Sequence, residues 1–276
     1  MTANATAPTT PATPAATRTA TPTRLALHQF GFDLRAFMRN GQSRFFTLAL
    51  PVLFLVIFAS VFNGNVSVSG GKVDVTVFYV PGIMTLGIIA ASFINLVISV
   101  VAQRETGVLK RRRATPVPAA AIIAGRALTA VVASLAITVV LLAIGWLFFG
   151  VHVPGHTAPA LVVSVIVGTL AFCCMGFALA SVIHDEDSAQ PVTQAIMLPL
   201  YFISGVFIAT TQLPRWLGDV ATVFPVRHLA SALLTAYNPH TKGAGFAVTD
   251  LLIVAAWGVA GLVVALRRFS WVPLGR

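Results

Sequence analysis

The feature that most constrains the fold of this chain is a series of long, nearly uncharged apolar segments, two of which flank a short basic block. The block, residues 103–118, holds five of the 18 Lys and Arg residues. The chain is 57% hydrophobic and only 9% charged, whereas soluble domains carry roughly 25% charged residues. Such a chain cannot hide its apolar surface in water, so we predict an all-α integral membrane protein.

Six segments approach the roughly 17–25 residues that a helix needs to cross a bilayer. Pro51 is expected to kink the first of them, and residues 63–76 are expected to form a loop. Pro214 and Pro225 each look like the first turn of a short helix, so we expect two short re-entrant helices between the fifth and sixth spans. The predicted spans are residues 45–62, 77–102, 119–149, 159–183, 191–208 and 246–266.

The two ends of the chain differ in character from the predicted transmembrane domain, residues 24–268. Residues 1–23 are almost entirely Ala, Thr and Pro, which predicts a disordered tail, and residues 269–276 form a short C-terminal tail. Residues 24–40 have helical periodicity typical of an interfacial helix, although a helix packed on its own protein would look similar. The apolar face would hold Leu27, Phe30, Leu34, Phe37 and Met38, opposite Arg24, His28, Arg35 and Arg39.

The distribution of positive charge predicts the orientation. With six spans, all but four of the 18 Lys and Arg residues fall on one side; the four are Lys72, Arg215, Arg227 and Lys242. Positive loops stay in the cytoplasm, so we predict a multi-pass plasma-membrane protein with both termini and the basic block in the cytoplasm. The net charge of +10 is then a topology signal, and we expect no nucleic-acid partner.

A short acidic loop, residues 184–188, follows the fourth predicted span. We predict a turn in which Asp187 or Ser188 caps the next helix. The alternative roles for this loop are a contact with a cytoplasmic partner and a metal site. Elsewhere, His152 and His156 are four apart, but Pro154 and Gly155 lie between them and no further ligands for a tetrahedral site are evident, so we expect no metal there.

The basic block and two later segments resemble one transporter family. The sequence runs Arg104-Glu105-Thr106-Gly107-Val108-Leu109-Lys110-Arg111, then Ala114-Thr115-Pro116-Val117, with Gly125-Arg126 following. Further on come Ser204-Gly205-Val206-Phe207, Leu213-Pro214-Arg215-Trp216-Leu217 and Phe224-Pro225. Together with the six-span order, these segments resemble the ABC-2 type permeases, which are the membrane subunits of ATP-binding-cassette exporters.

This resemblance implies the partners. It implies that the chain forms a homodimer, or a pair with a second permease. This pair would bind ABC ATPase subunits on its cytoplasmic face and would be surrounded by membrane lipid. The helix at residues 24–40 would be the connecting helix, and a coupling helix would contact the ATPase through Arg104, Glu105, Gly107, Leu109, Lys110, Thr115 and Pro116. ATP and Mg would be bound by the ATPase, because no phosphate-binding Gly-x4-Gly-Lys-Ser/Thr motif occurs here. The run Lys110 to Arg113 is also explained by topology alone. On this reading, Glu105→Lys leaves folding intact and weakens docking.

The predicted spans contain almost no ionisable residues away from their ends. Proton-coupled transporters and intramembrane enzymes usually need such residues, so we expect neither, and no catalytic residues. Polar side chains that would suit a translocation surface are Ser92, Asn95, Ser99, Gln194 and Ser204. Hydrogen bonds between helices are the alternative role for each of them.

The sequence therefore predicts the permease subunit of an ATP-driven exporter of a hydrophobic or amphipathic, drug- or antibiotic-like substrate. The drug-like substrate comes from the family resemblance. Export of a lipid or polysaccharide is the first alternative. A membrane scaffold or sensor that recruits a cytoplasmic protein without transport is the second.

Overall fold

The structure is a computed structural model that describes residues 22–62, 64–68, 71–109 and 119–268. Both predicted tails therefore lie outside the described residues, apart from Pro22 and Thr23, which begin the first helix. The predicted coupling residues Lys110, Thr115 and Pro116 also lie outside them.

The described chain is mainly helical, and its elements follow one another in a simple order. Helix α1 is Pro22–Arg39; α2 joins Gly41–Arg44, a π-helical turn Phe45–Ala49 and Leu50–Val61; α3 joins Val75–Ile89, a π-helical turn Ala90–Ile94 and Asn95–Glu105. Then come α4 (Ala119–Phe149), α5 (Ala158–Ala180), α6 (Glu186–Ile203), a 3-10 turn (Thr210–Gln212), α7 (Arg215–Ala221), α8 (Pro225–Tyr237) and α9 (Val248–Arg268).

Helix α3 forms the centre of the bundle. Almost every residue of Val75–Ile89 is buried, and α2, α4, α5 and α8 all pack against this helix. Val80, Ile83, Met84, Ile88 and Ile89 have no exposed surface. A helix that is hydrophobic all round is expected in such a position, because it has no face that needs water.

Within the described residues, four helices are long and apolar enough to cross a membrane: Val75–Glu105, Ile122–Phe149, Ala158–Ala180 and Val248–Arg268. They match the second, third, fourth and sixth predicted spans. The first predicted span corresponds to the shorter apolar stretch Thr47–Val61, and the fifth to α6, which begins with the polar sequence Glu186 to Gln190. The structure thus confirms a helical membrane protein, and the count of six spans stays a prediction.

The segment between α2 and α3 corrects the all-α assignment. Residues predicted as a loop contain an antiparallel hairpin of β1 (Asn65–Val68) and β2 (Gly71–Asp74), with Asn65 opposite Asp74. Val66 and Val68 alternate with polar residues in β1, as in a strand with one apolar face. We call this end of the bundle the hairpin end, and the opposite end, where α3 stops at Glu105, the loop end.

Helix α1 packs along the start of α4. Phe37 is buried, and Gly125 on α4 lies so close to α1 that a Cβ there would be 2.8 Å from Gln29 Cγ. Leu27 and Met38, assigned to the same apolar face, are exposed. Part of the face therefore contacts the protein itself, and its contact with the membrane interface stays a prediction.

Both short helices predicted after α6 are present. Pro214 directly precedes α7 and Pro225 is the first residue of α8. Helix α8 is not a surface element, because one of its faces is buried against α3, α5 and α9. Insertion of these helices into the membrane stays a prediction.

Candidate coupling junction and translocation cavity

Arg104 lies at the end of α3 and points into the protein. Its side chain is 1% exposed. Nη1 donates to the Ala180 carbonyl at 2.9 Å, and Nη2 donates to the carbonyls of Ile183 and, at 3.4 Å, His184. The last carbonyls of a helix have no partner within it and carry partial negative charge. The guanidinium satisfies such carbonyls at the end of α5 and in the turn that follows.

Glu105 forms the second half of this junction. Its Oε2 accepts a hydrogen bond from the Glu186 backbone N–H at 2.6 Å, so the carboxylate caps the first turn of α6. Arg104 and Glu105 thus fasten the end of α3 to the turn between α5 and α6. We call these two residues and their backbone partners the loop-end junction.

The helix cap predicted in the acidic loop is two or three residues earlier than expected. Asp185, rather than Asp187 or Ser188, precedes α6 and accepts from the Ser188 backbone N–H at 2.8 Å. Hydrogen bonds from the side chain and backbone of Ser188 hold the pKa of Asp185 below its usual value. The ionised carboxylate therefore stabilises the first turn of α6. This stabilisation is lost as the pH falls through the pKa of Asp185.

The chain turns sharply after the junction. Gly107 has φ +72°, a conformation that favours glycine, and its N–H bonds to the Arg104 carbonyl at 3.2 Å. Leu109 beyond the turn is 2% exposed. Arg104, Glu105 and Leu109 therefore all contact their own chain, and the role of Glu105 in docking an ATPase stays a prediction. Glu105→Lys would remove the cap on α6, so it would not leave folding untouched.

A polar cavity of about 320 Å³ opens beside the junction, between α3, α6 and the start of α2. We call it the vestibule. Ser99, which lines the vestibule, accepts a hydrogen bond at 2.9 Å from Nη1 of Arg126 on α4. The Gln103 Oε1 atom is buried without a hydrogen-bond partner in the described part of the chain. The polar residues lining the vestibule are Asn40, Thr47, Asn95, Ser99, Gln103, Glu186, Gln190 and Gln194.

The vestibule adjoins a larger apolar cavity of about 680 Å³. Ala90, Ile94 and Gln194 line both cavities. We call the second one the aromatic groove. Phe58 stacks on Tyr79 with ring centroids 4.8 Å apart, and Phe202 lies 5.4 Å from Phe207. The aromatic residues that line the groove are Phe54, Phe58, Phe62, Tyr79, Tyr201, Phe202 and Phe207.

A row of side chains on α6 borders both cavities. Glu186, Gln190 and Gln194 line the vestibule, while Gln194, Leu198 and Phe202 line the groove. Successive members of this row are four apart in sequence, so each lies beside the next and the row winds gradually around the helix. The row changes from charged through amide to apolar as it leaves the loop end, which suits a molecule that is polar at one end and apolar at the other.

The structure brings together three of the five polar residues predicted for translocation. Asn95, Ser99 and Gln194 line the vestibule. Ser92 is buried and donates to the Ile88 carbonyl at 2.6 Å, which is an intrahelical role. Ser204 lines a separate pocket at the hairpin end.

The aromatic groove was not predicted from the sequence. A signal for it was present, since Phe54, Phe58 and Phe62 recur every four residues in α2, at the spacing of one helix face. The Glu186-Gln190-Gln194 series has the same spacing. Mean hydropathy over a segment does not reveal either series, because it does not distinguish one side of a helix from another.

A polar junction fastens α8 to α9 at the hairpin end. His228 Nδ1 lies 2.6 Å from Asp250 Oδ1 and its Nε2 lies 2.8 Å from the Thr222 carbonyl. Ser231 Oγ donates to Asp250 Oδ2 at 2.9 Å. Elsewhere in the described ranges, no three His, Cys, Asp or Glu residues are grouped as a metal site would require.

Comparison with known proteins gives one family and several distant relatives. The family profile described as ABC-2 type transporter matches residues 31–237. The inner membrane transport permease YadH of Escherichia coli strain K12 is 23% identical over 245 residues, covering 87% of this chain and 90% of that protein. The daunorubicin resistance ABC transporter permease protein DrrB1 of Streptomyces coeruleorubidus is 26% identical over 193 residues, covering 66% and 64%. The probable multidrug ABC transporter permease YbhR of E. coli K12 is 24% identical over 166 residues, covering 60% and 45%.

Proposed function

Because the chain belongs to the ABC-2 type transporter family, we propose that it is the permease subunit of an ATP-driven exporter of a hydrophobic or amphipathic, drug-like molecule. The observation that carries this proposal is that the vestibule and the aromatic groove adjoin each other and share Ala90, Ile94 and Gln194 in their linings. The names of DrrB1 and YbhR, which mention daunorubicin resistance and multidrug transport, support a drug-like cargo.

The chemistry of the two cavities favours an amphipathic cargo. Amide and hydroxyl groups in the vestibule offer hydrogen bonds to a polar head group. Phe58, Tyr79 and Phe207 offer ring faces and edges to an apolar or aromatic body, and aromatic pairs contribute about 0.5–1.5 kcal/mol beyond area burial. A cargo entering at the loop end would meet the polar residues first.

The loop-end junction supports a route for mechanical coupling. ABC-2 permeases work with ABC ATPase subunits, and we propose that ATP and Mg are bound on such a subunit. A force applied to the chain after Glu105 reaches α3 directly. It also reaches α6 through the bonds of Arg104 and Glu105. Since α3 and α6 line both cavities, their joint movement would change the shape of the path.

The chain is a multi-pass plasma-membrane protein, as its apolar helices and its relatives indicate. We propose that the loop end and both termini face the cytoplasm, in accordance with the excess of Lys and Arg on that side. A homodimer, or a pair with a second permease, would complete the exporter. Export of a lipid remains a second candidate, because the groove would also accept acyl chains.

The test is reconstitution of the chain with its ATPase in lipid nanodiscs, with daunorubicin as the probe. We expect drug to stimulate ATP hydrolysis, and Phe58→Ala to raise the concentration for half-maximal stimulation about two- to tenfold through the lost aromatic contacts. Gln194→Leu should act in the same direction. Val259→Ala, on the exposed face of α9, is the control and should behave as the unaltered protein.

Two results would contradict the proposal. If no P-loop ATPase co-purifies with the chain, the scaffold or sensor alternative is favoured. If hydrolysis responds to acyl lipid but not to daunorubicin or other drugs, the cargo is a lipid.

A further inference from the structure

A second polar cavity of about 280 Å³ lies at the hairpin end, apart from the vestibule and the aromatic groove. It is enclosed by the start of α3, the chain after α6, and α8 with the loop that follows. Its volume is close to the lower end of the roughly 300–1,000 Å³ of small-molecule sites. The polar residues lining it are Ser204, Thr210, Arg227, Ser231, Thr235, Asn238, His240 and Thr241. We call it the hairpin-end pocket.

The pocket contains one positively charged side chain, that of Arg227. Arg227 lines it with a half-buried guanidinium whose Nη1 donates to the Gly218 carbonyl at 2.7 Å. Within the described residues no carboxylate lies within 4 Å of that guanidinium, and the lining includes no acidic residue. The neighbouring Asp250 is already engaged, because His228 contacts one of its oxygens and Ser231 donates to the other.

Ser204 gives the pocket an unused donor. Its side chain is 1% exposed, and its hydroxyl has no hydrogen-bond partner among the described residues. A buried hydroxyl left without a partner costs about 1–3 kcal/mol, so a ligand acceptor at this position would recover that cost.

The wall that carries Ser204 is fixed in place. A Cβ at Gly82 would lie only 2.5 Å from the Val206 carbonyl oxygen, so α3 and the chain after α6 approach as closely as their backbones allow. Gly205 makes the turn between Ser204 and Val206 with φ +84°. A rigid wall lowers the entropic cost of ligand binding.

We propose that the hairpin-end pocket binds an oxyanion, either the phosphate of a lipid head group or free inorganic phosphate. A guanidinium presents its N–H groups in a planar fork that matches phosphate and carboxylate oxygens. Hydroxyl and amide groups around it would donate to the remaining oxygens. This site is separate from the cargo path, so the proposal does not depend on the identity of the cargo.

The experiment uses the full chain in complex with its ATPase, purified in a neutral detergent. Its melting temperature is measured with inorganic phosphate, with phosphatidylglycerol, with phosphatidylcholine, and with chloride at the same ionic strength. We expect phosphatidylglycerol, phosphate or both to raise the melting temperature, while chloride does not. Arg227→Gln should weaken the apparent affinity at least about tenfold, which corresponds to ~1.4 kcal/mol.

Arg215→Gln is the matched control, because Arg215 lies at the same end of the bundle but is exposed and does not line the pocket. It should retain the full response. Thr235→Leu fills the pocket without altering Arg227 and should also abolish the response, which keeps the test decisive if Arg227→Gln fails to fold.

The outcomes separate the sources of the oxyanion. A response to phosphatidylglycerol alone assigns a lipid head group, and a response to inorganic phosphate assigns a free ion as well. The proposal is overturned if neither compound stabilises the unaltered protein, if chloride acts as well as phosphate, or if Arg215→Gln loses as much as Arg227→Gln.

Discussion

Asp250 contacts residues of α8 through both of its oxygens. His228 Nδ1 is 2.6 Å from one oxygen and Ser231 Oγ is 2.9 Å from the other. On its far side His228 faces the Thr222 carbonyl. Because a carbonyl can only accept, Nε2 must carry a hydrogen. A single carboxylate therefore orients the imidazole and holds α9 to α8.

We predict that Asp250→Ala lowers the free energy of unfolding by about 1–3 kcal/mol, because it leaves buried donors without an acceptor. Asp250→Asn should keep most of the stability, since its amide oxygen still accepts from Ser231 and its NH₂ group can donate to Nδ1. Chemical denaturation of the purified protein, followed by Trp fluorescence, measures both. If Asp250→Ala and Asp250→Asn lose the same free energy of unfolding, hydrogen bonding at this position contributes little to stability.

Between elements, α5 and α9 approach each other closely. A Cβ at Gly258 would lie 2.8 Å from Ala171 Cα, and one at Gly261 would lie 2.8 Å from the Met175 backbone nitrogen. Both distances are shorter than real Cβ contacts, and the atoms they meet belong to the backbone. Small residues allow helices in membranes to approach in this way, where dispersion contacts drive association.

Gly261→Ala changes the stability through two opposing effects, the helix propensity of the residue and the packing of α5 against α9. In a helix interior, alanine is more favourable than glycine by about 1 kcal/mol. Overpacking, in contrast, costs about 1–3 kcal/mol, and more when the backbone must move. We expect packing to win, so the melting temperature in detergent should fall. Gly31→Ala in α1 is the control, because nothing lies within 4 Å of its added Cβ, and its melting temperature should stay level or rise. A rise in both variants would mean that α5 and α9 separate readily.

The elements also show which features of the structure a sequence can predict. Four membrane helices follow from apolar runs of sufficient length, and α7 and α8 follow from Pro214 and Pro225. The β-hairpin was missed because it is short and polar at its ends. The direction of Arg104 was also missed. A charged residue at the end of an apolar run is normally assigned to water, and the carbonyls that receive it come from a distant helix end.

The whole molecule presents apolar side chains on its outside. Val139, Leu252 and Leu266 are each more than 60% exposed, which suits helices surrounded by lipid rather than water. Charged residues such as Lys72 and Lys242 are exposed at the hairpin end, and Arg35 and Asp187 are exposed at the loop end. The two ends can therefore be distinguished by labelling.

We predict that Lys72→Cys and Lys242→Cys react with a membrane-impermeant maleimide added to intact cells. Arg35→Cys and Asp187→Cys should react only after the membrane is opened, because positive loops are retained in the cytoplasm. The background protein has Cys173 and Cys174 replaced by Ala. The reverse pattern would invert the proposed orientation, and labelling of Asp187→Cys alone from outside would show that the number of crossings differs from six.

The bonds of Arg104 also bear on how the protein is made. Its acceptors lie 76 and 80 residues further along the chain, at Ala180 and His184. At about 5–20 residues per second, synthesis of that interval takes roughly 4–16 s. During this time α4 and α5 are synthesised while Arg104 lacks the carbonyls it will later bind. The bundle therefore cannot be completed helix by helix as it leaves the ribosome, and its final closure waits for the turn before α6.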